Sequence, residues 1–331
     1  MTTLRLPPAS SDARILGLGA HLPARVVGNE EIAAAIGSSD EWIVQRSGIT
    51  HRHFAAPDET VVDMAVAAAG KSIAAAGVDP GDVDFVLLGS CTHESSVPGG
   101  AAEVATRIGA AGAGALDINA ACASFCYALA AANDAIRSGS ARRVVVVGAD
   151  RFTNVLDHTD RNTAFLFGDG AGAAVVGAAD VAGIGPVVWG SDGTLRGLIA
   201  QPSARDAMRS EAGMPVVRMD GPAVFRWAVT AIAPIALRAC AAAGVELSDL
   251  GAFVPHQANA RIIDALVRAL RLPNSVVVAR DVVNVGNTSS ASIPLALARL
   301  AESGEVPSGA PVLLVGFGAG LTYAAQVVLM P

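Results

Sequence analysis

Three segments of the chain each place a residue capable of acyl chemistry at the point where a predicted strand gives way to a helix. Cys122 follows a short strand and a run of small residues, His256 follows an apolar strand, and Asn287 lies in a Gly-Asn-Thr-Ser turn. The carboxyl ends of neighbouring parallel strands meet at one edge of a sheet, where a cleft forms. A thiol, an imidazole and an amide brought together there form a set suited to acyl transfer.

Each of these residues also has an ordinary structural interpretation. Backbone N–H groups and the positive end of a helix dipole at Cys122 are expected to stabilise its thiolate and lower its pKa. The alternative for Cys122 is an inert core thiol, because free cysteine is commonly buried. That interpretation is given to Cys126, one helical turn later. His256 taken alone could be a structural histidine, and Asn287 could be no more than a helix N-cap.

The elements that position these residues alternate between strands and helices. The predicted strands are Arg14–Gly17, Val83–Gly89, Ala115–Ile118, Arg143–Gly148, Ala171–Val176, Leu250–Pro255, Val276–Ala279, Pro311–Val315 and Leu321–Leu329. The predicted helices are Asn29–Ile36 (opened by an Asn cap), Glu59–Ala76, Pro98–Ile108, Cys122–Ser138, Gly221–Ala243, Asn259–Leu270 and Ser289–Glu302. The same order returns after the glycine-rich stretch near Ala178–Pro186, and residues 203–217 are predicted to be a loop insertion. This pattern predicts a duplicated α/β layered fold with halves at residues 1–180 and 181–331.

Composition narrows the class of protein. The 331 residues are 52% hydrophobic and 16% charged, which excludes a disordered chain and provides a large core. The net charge is −7, Lys71 is the single lysine, and no basic stripe occurs, so nucleic-acid binding is not expected. The N-terminal residues lack the apolar core of a signal peptide. With four scattered cysteines, these features predict a cytoplasmic protein with reduced thiols.

The segment Val306–Pro331 carries no charge, which raises the question of a membrane span. A spanning helix needs about 20 predominantly apolar residues. Here Gly316-Phe317-Gly318-Ala319-Gly320 divides the segment into two short β-rich runs. Two buried strands joined by a glycine turn are predicted instead.

Three further motifs do not meet the structural context that their chemistry requires. Gly70-Lys71-Ser72 resembles the end of a phosphate-binding loop, but Ala65 stands where that loop needs glycine, and the segment lies within a predicted helix. Gly168–Gly172 lacks the spacing of a dinucleotide fingerprint and precedes a strand. His51 and His53 have no third ligand at a suitable spacing, so no metal site is predicted.

Nearly the whole chain, from Arg14 onward, resembles β-ketoacyl-acyl-carrier-protein synthase III of the actinobacterial type. These enzymes are thiolase-fold condensing enzymes. The motifs that carry the resemblance are Ser39-Asp40-Glu41-Trp42-Ile43, Arg46-Ser47-Gly48-Ile49, Ala120-Ala121-Cys122, Thr159-Asp160-Arg161, Phe167-Gly168-Asp169-Gly170-Ala171-Gly172, Pro255-His256-Gln257-Ala258-Asn259, Gly286-Asn287-Thr288-Ser289 and Gly316-Phe317-Gly318-Ala319-Gly320. So many motifs in order are specific for this family.

The resemblance implies a duplicated αβαβα thiolase-like fold with two mixed β-sheets. It also implies a reaction in which an acyl group passes from acyl-CoA to Cys122 and is then joined to malonyl-acyl-carrier protein by decarboxylative Claisen condensation. The product is 3-oxoacyl-acyl-carrier protein, made in the priming step of fatty-acid or polyketide synthesis. The expected partners are acyl-CoA, malonyl-acyl-carrier protein and a second copy of the chain, with no metal or other cofactor, no nucleic acid and no membrane.

The resemblance also assigns roles to individual residues. Cys122 is the acylated nucleophile, His256 and Asn287 are the decarboxylation pair, and the N–H groups of Cys122 and Ala319 form the oxyanion hole. Contacts to coenzyme A at the tunnel mouth are implied for Trp42, Arg46 and Arg161, and a tunnel-lining role for Asn259. Basic positions that receive the carrier protein are Arg226, Arg261 and Arg268.

Three positions depart from the usual pattern of the family or set its specificity. Ser124 stands where the family usually has glycine, and Ala319 replaces the middle glycine of the C-terminal turn. An N–H donor survives either change. Val97 stands where acetyl-preferring relatives have a bulky Phe that reaches across the dimer into the partner's acyl pocket, so primers longer or more branched than acetyl are expected.

Three alternatives belong to the same fold. An acyltransferase that passes the acyl group to an oxygen or nitrogen acceptor without decarboxylation would be expected to disturb the position of Asn287. A degradative thiolase would use a second cysteine near Gly318-Ala319-Gly320, where none occurs. A non-catalytic partner subunit would have lost the nucleophile, yet Cys122 is present.

Overall fold

The computed structural model describes residues 11–203 and 215–331. Most of the predicted insertion at 203–217 lies outside the described residues. In chain order the described strands are β1 (Asp12–His21), β2 (Arg25–Gly28), β3 (His51–Phe54), β4 (Phe85–Gly89), β5 (Gly114–Ile118), β6 (Arg143–Arg151), β7 (Asp169–Ala179), β8 (Val188–Ser191), β9 (Ile199–Ala200), β10 (Arg218–Met219), β11 (Ala252–Pro255), β12 (Val277–Val278), β13 (Pro311–Gly318) and β14 (Thr322–Leu329). The described α-helices are α1 (Asn29–Ile36), α2 (Asp40–Ser47), α3 (Val61–Ala76), α4 (Ala101–Arg107), α5 (Ser124–Arg137), α6 (Gly221–Ala243), α7 (Ala260–Leu270), α8 (Val282–Val285) and α9 (Ser292–Ser303).

Two five-stranded sheets repeat one arrangement. The first has the order β1-β7-β6-β4-β5 and the second the order β8-β14-β13-β11-β12. In each sheet the last three strands are parallel, and the first two pairings are antiparallel. The predicted duplication into two mixed sheets is therefore confirmed, although the two halves share almost no residue identity.

The helices form three layers around the two sheets. A central cluster of buried side chains, with Phe125 and Leu129 of α5 and Ile293 and Leu297 of α9, fills the space between the sheets. Helices α3 and α4 cover the outer face of the first sheet. Helices α6 and α7 cover the outer face of the second sheet, around Phe253. This is the predicted αβαβα arrangement.

Local differences from the predicted elements have physical explanations. Asn29 does not cap α1, because the N-cap position is Gly28. The buried Asn29 amide donates instead to Asp40 Oδ1 and to the carbonyl of Ile49, each at 2.7 Å. The charge-free C-terminal segment forms two strands, as predicted, and these strands, β13 and β14, pair antiparallel.

Among the described helices, α6 alone is long and apolar enough to cross a membrane. Core helices of soluble proteins satisfy the same two criteria. Its buried residues, among them Ile232 and Ala236, pack in the cluster that covers the second sheet. These contacts account for the apolar residues on the buried side of α6, which make up 39% of its apolar stretch.

Candidate active site

Cys122 lies in a single 3₁₀ turn, Ala121–Ala123, between β5 and α5. Ala121 has a left-handed backbone with φ of 49°, and two side chains hold it there. Asn119 Oδ1 accepts from the Ala121 N–H at 3.1 Å. Ser124 Oγ accepts from the Ala120 N–H at 2.9 Å and donates to the Ala121 carbonyl at 2.6 Å. The α-helix therefore starts at Ser124 rather than at Cys122, and Ser124 secures the turn that carries the thiol.

The end of β13 packs directly against this turn. A Cβ atom on Gly318 would lie 2.8 Å from Cys122 Cβ, so only glycine allows this approach. The next residue, Ala319, lines the same cavity as Cys122. Ala319 stands where the family usually has glycine. Its methyl group leaves the packing of Gly318 against Cys122 in place.

The predicted lowering of the Cys122 pKa is wrong. Burial raises the pKa of this thiol to about 12, because a thiolate would lose its hydration there. A hydrogen bond from Ser289 Oγ, 3.4 Å from Cys122 Sγ, acts in the opposite direction. The local helix start is outweighed by desolvation, because Gly318 and Ser289 of the second half pack directly against Cys122.

His256 is held by its backbone and by its ring. Its N–H donates to the Val315 carbonyl at 2.8 Å, and its ring meets Phe317 edge-on at 5.3 Å between centroids. Nδ1 lies 2.7 Å from Ser292 Oγ. That hydroxyl accepts from the Gln257 N–H at 3.3 Å, so its own proton can be donated to Nδ1. The arrangement favours the tautomer with its proton on Nε2.

The electrostatic environment keeps this imidazole neutral. His256 is 2% exposed. Burial lowers the pKa of His256 to about 3, since an imidazolium would have to give up its hydration. Across the physiological range the ring is therefore a neutral hydrogen-bond donor.

Asn287 is fixed from both its backbone and its side chain. Its N–H donates to the Leu166 carbonyl at 2.8 Å, and its carbonyl accepts from the Gly168 N–H at 3.0 Å. Its Oδ1 accepts from the Ser289 N–H at 2.9 Å. With the oxygen engaged, the amide NH₂ group is the part of this side chain left to act as a donor.

The fully buried Asp150, at the end of β6, connects the loops around these residues. Its Oδ1 accepts from Ser90 Oγ, the Cys91 N–H and Thr92 Oγ1 at 2.7–3.1 Å. Its Oδ2 accepts from the N–H and the hydroxyl of Ser290 at 3.0 and 2.6 Å. One carboxylate thus ties the loop after β4 to the loop that follows Asn287. Sequence analysis missed Asp150, Ser289 and Ser292. Ser289 is the last residue of the quoted Gly-Asn-Thr-Ser motif, and Ser292 lies three residues after it.

A cavity of about 830 Å³ brings the predicted residues together. The predicted site residues that line it are Cys122, His256, Asn287, Ala319, Trp42, Arg46, Arg161, Asn259, Arg226 and Arg261. Four of these are arginines, and none of the described residues that line the cavity is acidic. The cavity thus presents positive charge although the chain carries a net charge of −7. Such an arrangement attracts anionic ligands.

Trp42 is the centre of a stacked cluster at this cavity. The guanidinium carbons of Arg161 and Arg46 lie 4.6 and 5.2 Å from the Trp42 ring centroid. Phe165 meets the same ring edge-on at 5.2 Å. Asn259 caps α7, because its Oδ1 accepts from the Arg261 N–H at 2.8 Å. The Nδ2 of the same side chain donates to the Arg46 carbonyl at 3.1 Å. These contacts join the α2 and α7 sides of the cavity.

The remaining predicted residues lie outside the cavity. Arg268 is exposed on α7, two turns beyond Arg261. Val97 is 86% exposed in the single chain. Among the described residues no cluster of His, Cys, Asp or Glu has the arrangement of a metal site. His51 and His53 engage Thr50 Oγ1 and the Pro23 carbonyl instead.

The comparisons with known proteins agree with this geometry. A family model described as "3-Oxoacyl-[acyl-carrier-protein (ACP)] synthase III" matches residues 116–193, and its C-terminal counterpart matches residues 240–330. The chain is 50% identical to a β-ketoacyl-[acyl-carrier-protein] synthase III of Streptomyces lividans, covering 100% of this chain and 98% of the relative. It is 49% identical to the enzyme of the same name from Streptomyces glaucescens, covering 100% of both chains.

Solved structures give the same answer. The priming β-ketosynthase of the R1128 polyketide biosynthetic pathway matches with a TM-score of 0.97 and 50% identity, covering 100% of this chain and 99% of that one. The 3-oxoacyl-(acyl carrier protein) synthase III of Pseudomonas aeruginosa PAO1 matches with a TM-score of 0.90 and 40% identity, covering 97% and 98%. As the motifs predicted, the chain is a thiolase-fold enzyme of the actinobacterial type and belongs to the 3-oxoacyl-[acyl-carrier-protein] synthase III family.

Proposed function

We propose that this enzyme takes an acyl group from acyl-CoA onto Cys122 and condenses it with malonyl-acyl-carrier protein, giving 3-oxoacyl-acyl-carrier protein and CO₂. The observation that carries the proposal is the gathering of Cys122, His256 and Asn287 around one arginine-rich cavity. The Streptomyces relatives are named as synthases of this type, and a solved relative is named as the priming ketosynthase of a polyketide pathway. The reaction is therefore the priming step of fatty-acid or polyketide synthesis.

In the first step the sulfur of Cys122 attacks the thioester carbonyl carbon. The carbonyl oxygen becomes an oxyanion, for which the N–H groups of Cys122 and Ala319 are the proposed donors. The carbon–sulfur bond to coenzyme A then breaks, and coenzyme A leaves as a thiol with the proton that Cys122 gives up. The result is an acyl-enzyme, so the kinetics are ping-pong.

In the second step malonyl-acyl-carrier protein loses CO₂, and its electron pair forms an enolate. Burial keeps His256 neutral, so its Nε2–H and the Asn287 amide can hold the enolate oxygen without an acidic proton to quench the carbanion. The enolate carbon attacks the acyl-cysteine carbonyl, and the carbon–sulfur bond to Cys122 breaks. Neither step requires a metal or a redox cofactor, and coenzyme A enters as part of a substrate.

The Trp42 cluster is the proposed entrance for coenzyme A. Guanidinium groups beside an aromatic ring can bind a purine base by stacking, and Arg46 and Arg161 both lie over Trp42. The charges of Arg46 and Arg161 suit the phosphates of the nucleotide. The polar side chain of Asn259, at the same cavity, is proposed to contact the pantetheine arm.

The carrier protein is proposed to dock on the exposed cations beside the cavity. Arg226 and Arg261 line the cavity and are exposed, and Arg268 continues the same helix as Arg261. Among the described residues these three form no salt bridge within the chain. They are therefore available to an acidic partner surface.

With its substrates in the cytoplasm, the enzyme is expected to be cytoplasmic.

A homodimer is proposed on the evidence of one sheet edge. Strand β5 ends the first sheet, with β4 as its neighbour on one side. Its residues are largely exposed, and Leu116 is 49% exposed. An exposed strand edge is a template for pairing with a second chain. The exposed Val97 precedes the helix that packs beside β5 and would face the partner in such a dimer.

The proposed function is tested with acyl-CoA primers and malonyl-acyl-carrier protein. Intact-protein mass spectrometry should show an acyl adduct on the enzyme after acyl-CoA is added. Addition of malonyl-acyl-carrier protein should then discharge it and yield one CO₂ per 3-oxoacyl-acyl-carrier protein. An adduct that passes instead to a hydroxyl or an amine without CO₂ release would favour the non-decarboxylating acyltransferase.

Primer size provides a second test. Val97 stands where acetyl-preferring relatives have Phe, so several ring carbons are missing from the acyl pocket into which this side chain would project. An acyl chain that fills the space gains about 0.8 kcal/mol of binding free energy for each buried CH₂. We expect kcat/KM to be higher for butyryl-CoA or isobutyryl-CoA than for acetyl-CoA. Val97→Phe should shift the preference toward acetyl-CoA. A wild type that favours acetyl-CoA, or a variant with an unchanged profile, would exclude Val97 as the gate.

A further inference from the structure

Ser289 occupies a buried position between the nucleophile and the decarboxylation pair. It is fully buried and has a left-handed backbone with φ of 51°. Its N–H holds Asn287 Oδ1 at 2.9 Å, and its hydroxyl donates to Cys122 Sγ at 3.4 Å. Among the residues that the structure describes, Ser289 therefore supplies the side-chain hydroxyl that contacts the attacking sulfur of Cys122.

The turn that contains Ser289 has a counterpart in the first half of the chain. There Asn119 Oδ1 accepts from the Ala121 N–H, and Ala121 has φ of 49°. The two turns thus share the same side-chain hydrogen bond and the same backbone conformation. Because alanine occupies this position in the first turn, the turn itself does not need a hydroxyl. The hydroxyl of Ser289 is available for another role.

Cys91 is the second cysteine whose sulfur contacts the Ser289 hydroxyl. Its sulfur lies 3.6 Å from Ser289 Oγ. Ser289 has one hydroxyl proton, and it is directed to Cys122 Sγ. The thiol of Cys91 is then the donor when it pairs with Ser289, and the Asp150 carboxylate is the second acceptor within reach of the same proton. The result is a directional chain from the Cys91 S–H to the Ser289 O–H and on to Cys122 Sγ.

The surroundings keep Cys91 in the protonated form that this chain requires. Burial raises the pKa of Cys91 well above its ordinary value, and the neighbouring Asp150 carboxylate acts in the same direction. The Cys91 N–H donates to Asp150 Oδ1 at 2.9 Å, which anchors the loop. The Cys91 thiol is thus positioned as a persistent donor rather than as a second nucleophile.

We propose that Ser289 is a further catalytic residue, which stabilises the thiolate of Cys122 by donating a hydrogen bond, and that Cys91 is a positioning residue that orients the Ser289 hydroxyl. This inference rests on the proposed role of Cys122 as the nucleophile. Ser289 keeps its own proton throughout. The proton of Cys122 still leaves with coenzyme A, and the hydrogen bond raises the fraction of Cys122 that is ionised when the thioester arrives.

The test measures the rate at which iodoacetamide alkylates Cys122 between pH 6 and 10, followed by mass spectrometry of the peptide that contains it. We expect Ser289→Ala to slow alkylation about tenfold at each pH below the thiol pKa, because a charge-assisted hydrogen bond to the thiolate is lost. Ser289→Gly is the matched variant, since glycine adopts positive φ without strain but also lacks the hydroxyl. It should be slowed equally.

Two outcomes would overturn the proposal. The first is an unchanged pH–rate profile for alkylation of Cys122 in both variants. The second is slow alkylation in Ser289→Ala together with the wild-type rate in Ser289→Gly, which would assign Ser289 a backbone role alone. For Cys91, Cys91→Ala should slow alkylation of Cys122 a few-fold, and Cys91→Ser, which keeps a donor, should not. Equal loss in these two variants would remove Cys91 from the proposal. An absence of acyl adduct in the wild type would instead refute the proposed function.

Discussion

Replacement of Cys122 by alanine is expected to abolish acylation of the enzyme by acyl-CoA. Cys122 lines the cavity together with His256 and Asn287, and the other cysteine there, Cys91, is assigned to positioning. No acyl-enzyme can form without the Cys122 thiol, so the first half-reaction should stop entirely. Intact-protein mass spectrometry after incubation with acyl-CoA measures this directly, because each acyl group adds its own mass to the chain.

Cys126 provides the matched control. It lies one helical turn beyond Cys122, is fully buried, and belongs to the core cluster between the two sheets. Burial raises the pKa of Cys126 to about 12, as it does that of Cys122, so pKa does not distinguish the two thiols. Access to the cavity distinguishes them, because Cys122 lines the cavity and Cys126 does not. Cys126→Ala should still be acylated, and an adduct on any cysteine other than Cys122 would refute the assignment.

His256→Ala and Asn287→Ala are expected to be acylated normally and to lose decarboxylation. Both residues are assigned to the enolate of the second step, and neither is assigned to the attack on acyl-CoA. A preorganised donor to a developing oxyanion contributes about 3–4 kcal/mol, so each variant should release CO₂ from malonyl-acyl-carrier protein about 10²–10³-fold more slowly.

The two half-reactions are measured separately in the same preparation. Acyl adduct formation is followed by mass, and decarboxylation by labelled CO₂ from malonyl-acyl-carrier protein. Ser292→Ala is an informative companion, because it removes the contact to His256 Nδ1 while leaving the imidazole in place. It should slow CO₂ release less than His256→Ala does. CO₂ release at the wild-type rate from His256→Ala or Asn287→Ala would contradict the pairing.

Sequence analysis found the three central residues because their positions follow from local rules. Strand ends and helix starts can be predicted from apolar runs and small residues, and a thiol, an imidazole and an amide at such positions are chemically distinctive. The two strands of the C-terminal segment were predicted on similar grounds, since a glycine turn interrupts an apolar run. The layered duplicated fold followed from the order of elements.

The properties that sequence analysis missed depend on contacts between distant segments. Ser289 and Cys122 are 167 positions apart, and Ser290 and Asp150 are 140 apart. The pKa of Cys122 was predicted in the wrong direction because its desolvation comes from the packed second half. The short strands β2 and β3 form a separate two-stranded sheet, and four residues each provide too little periodicity to be recognised.

The shared carboxylate of Asp150 has a consequence for the unfolding of the molecule. Its five hydrogen bonds come from segments on both sides of the duplication, and it is fully buried. If either half opened alone, the two hydrogen bonds that Ser290 donates to this carboxylate would break, and hydrogen bonds to charged groups contribute more to stability than neutral ones do. The two halves should therefore melt as one cooperative unit, with the catalytic loops among the last segments to exchange their amide hydrogens.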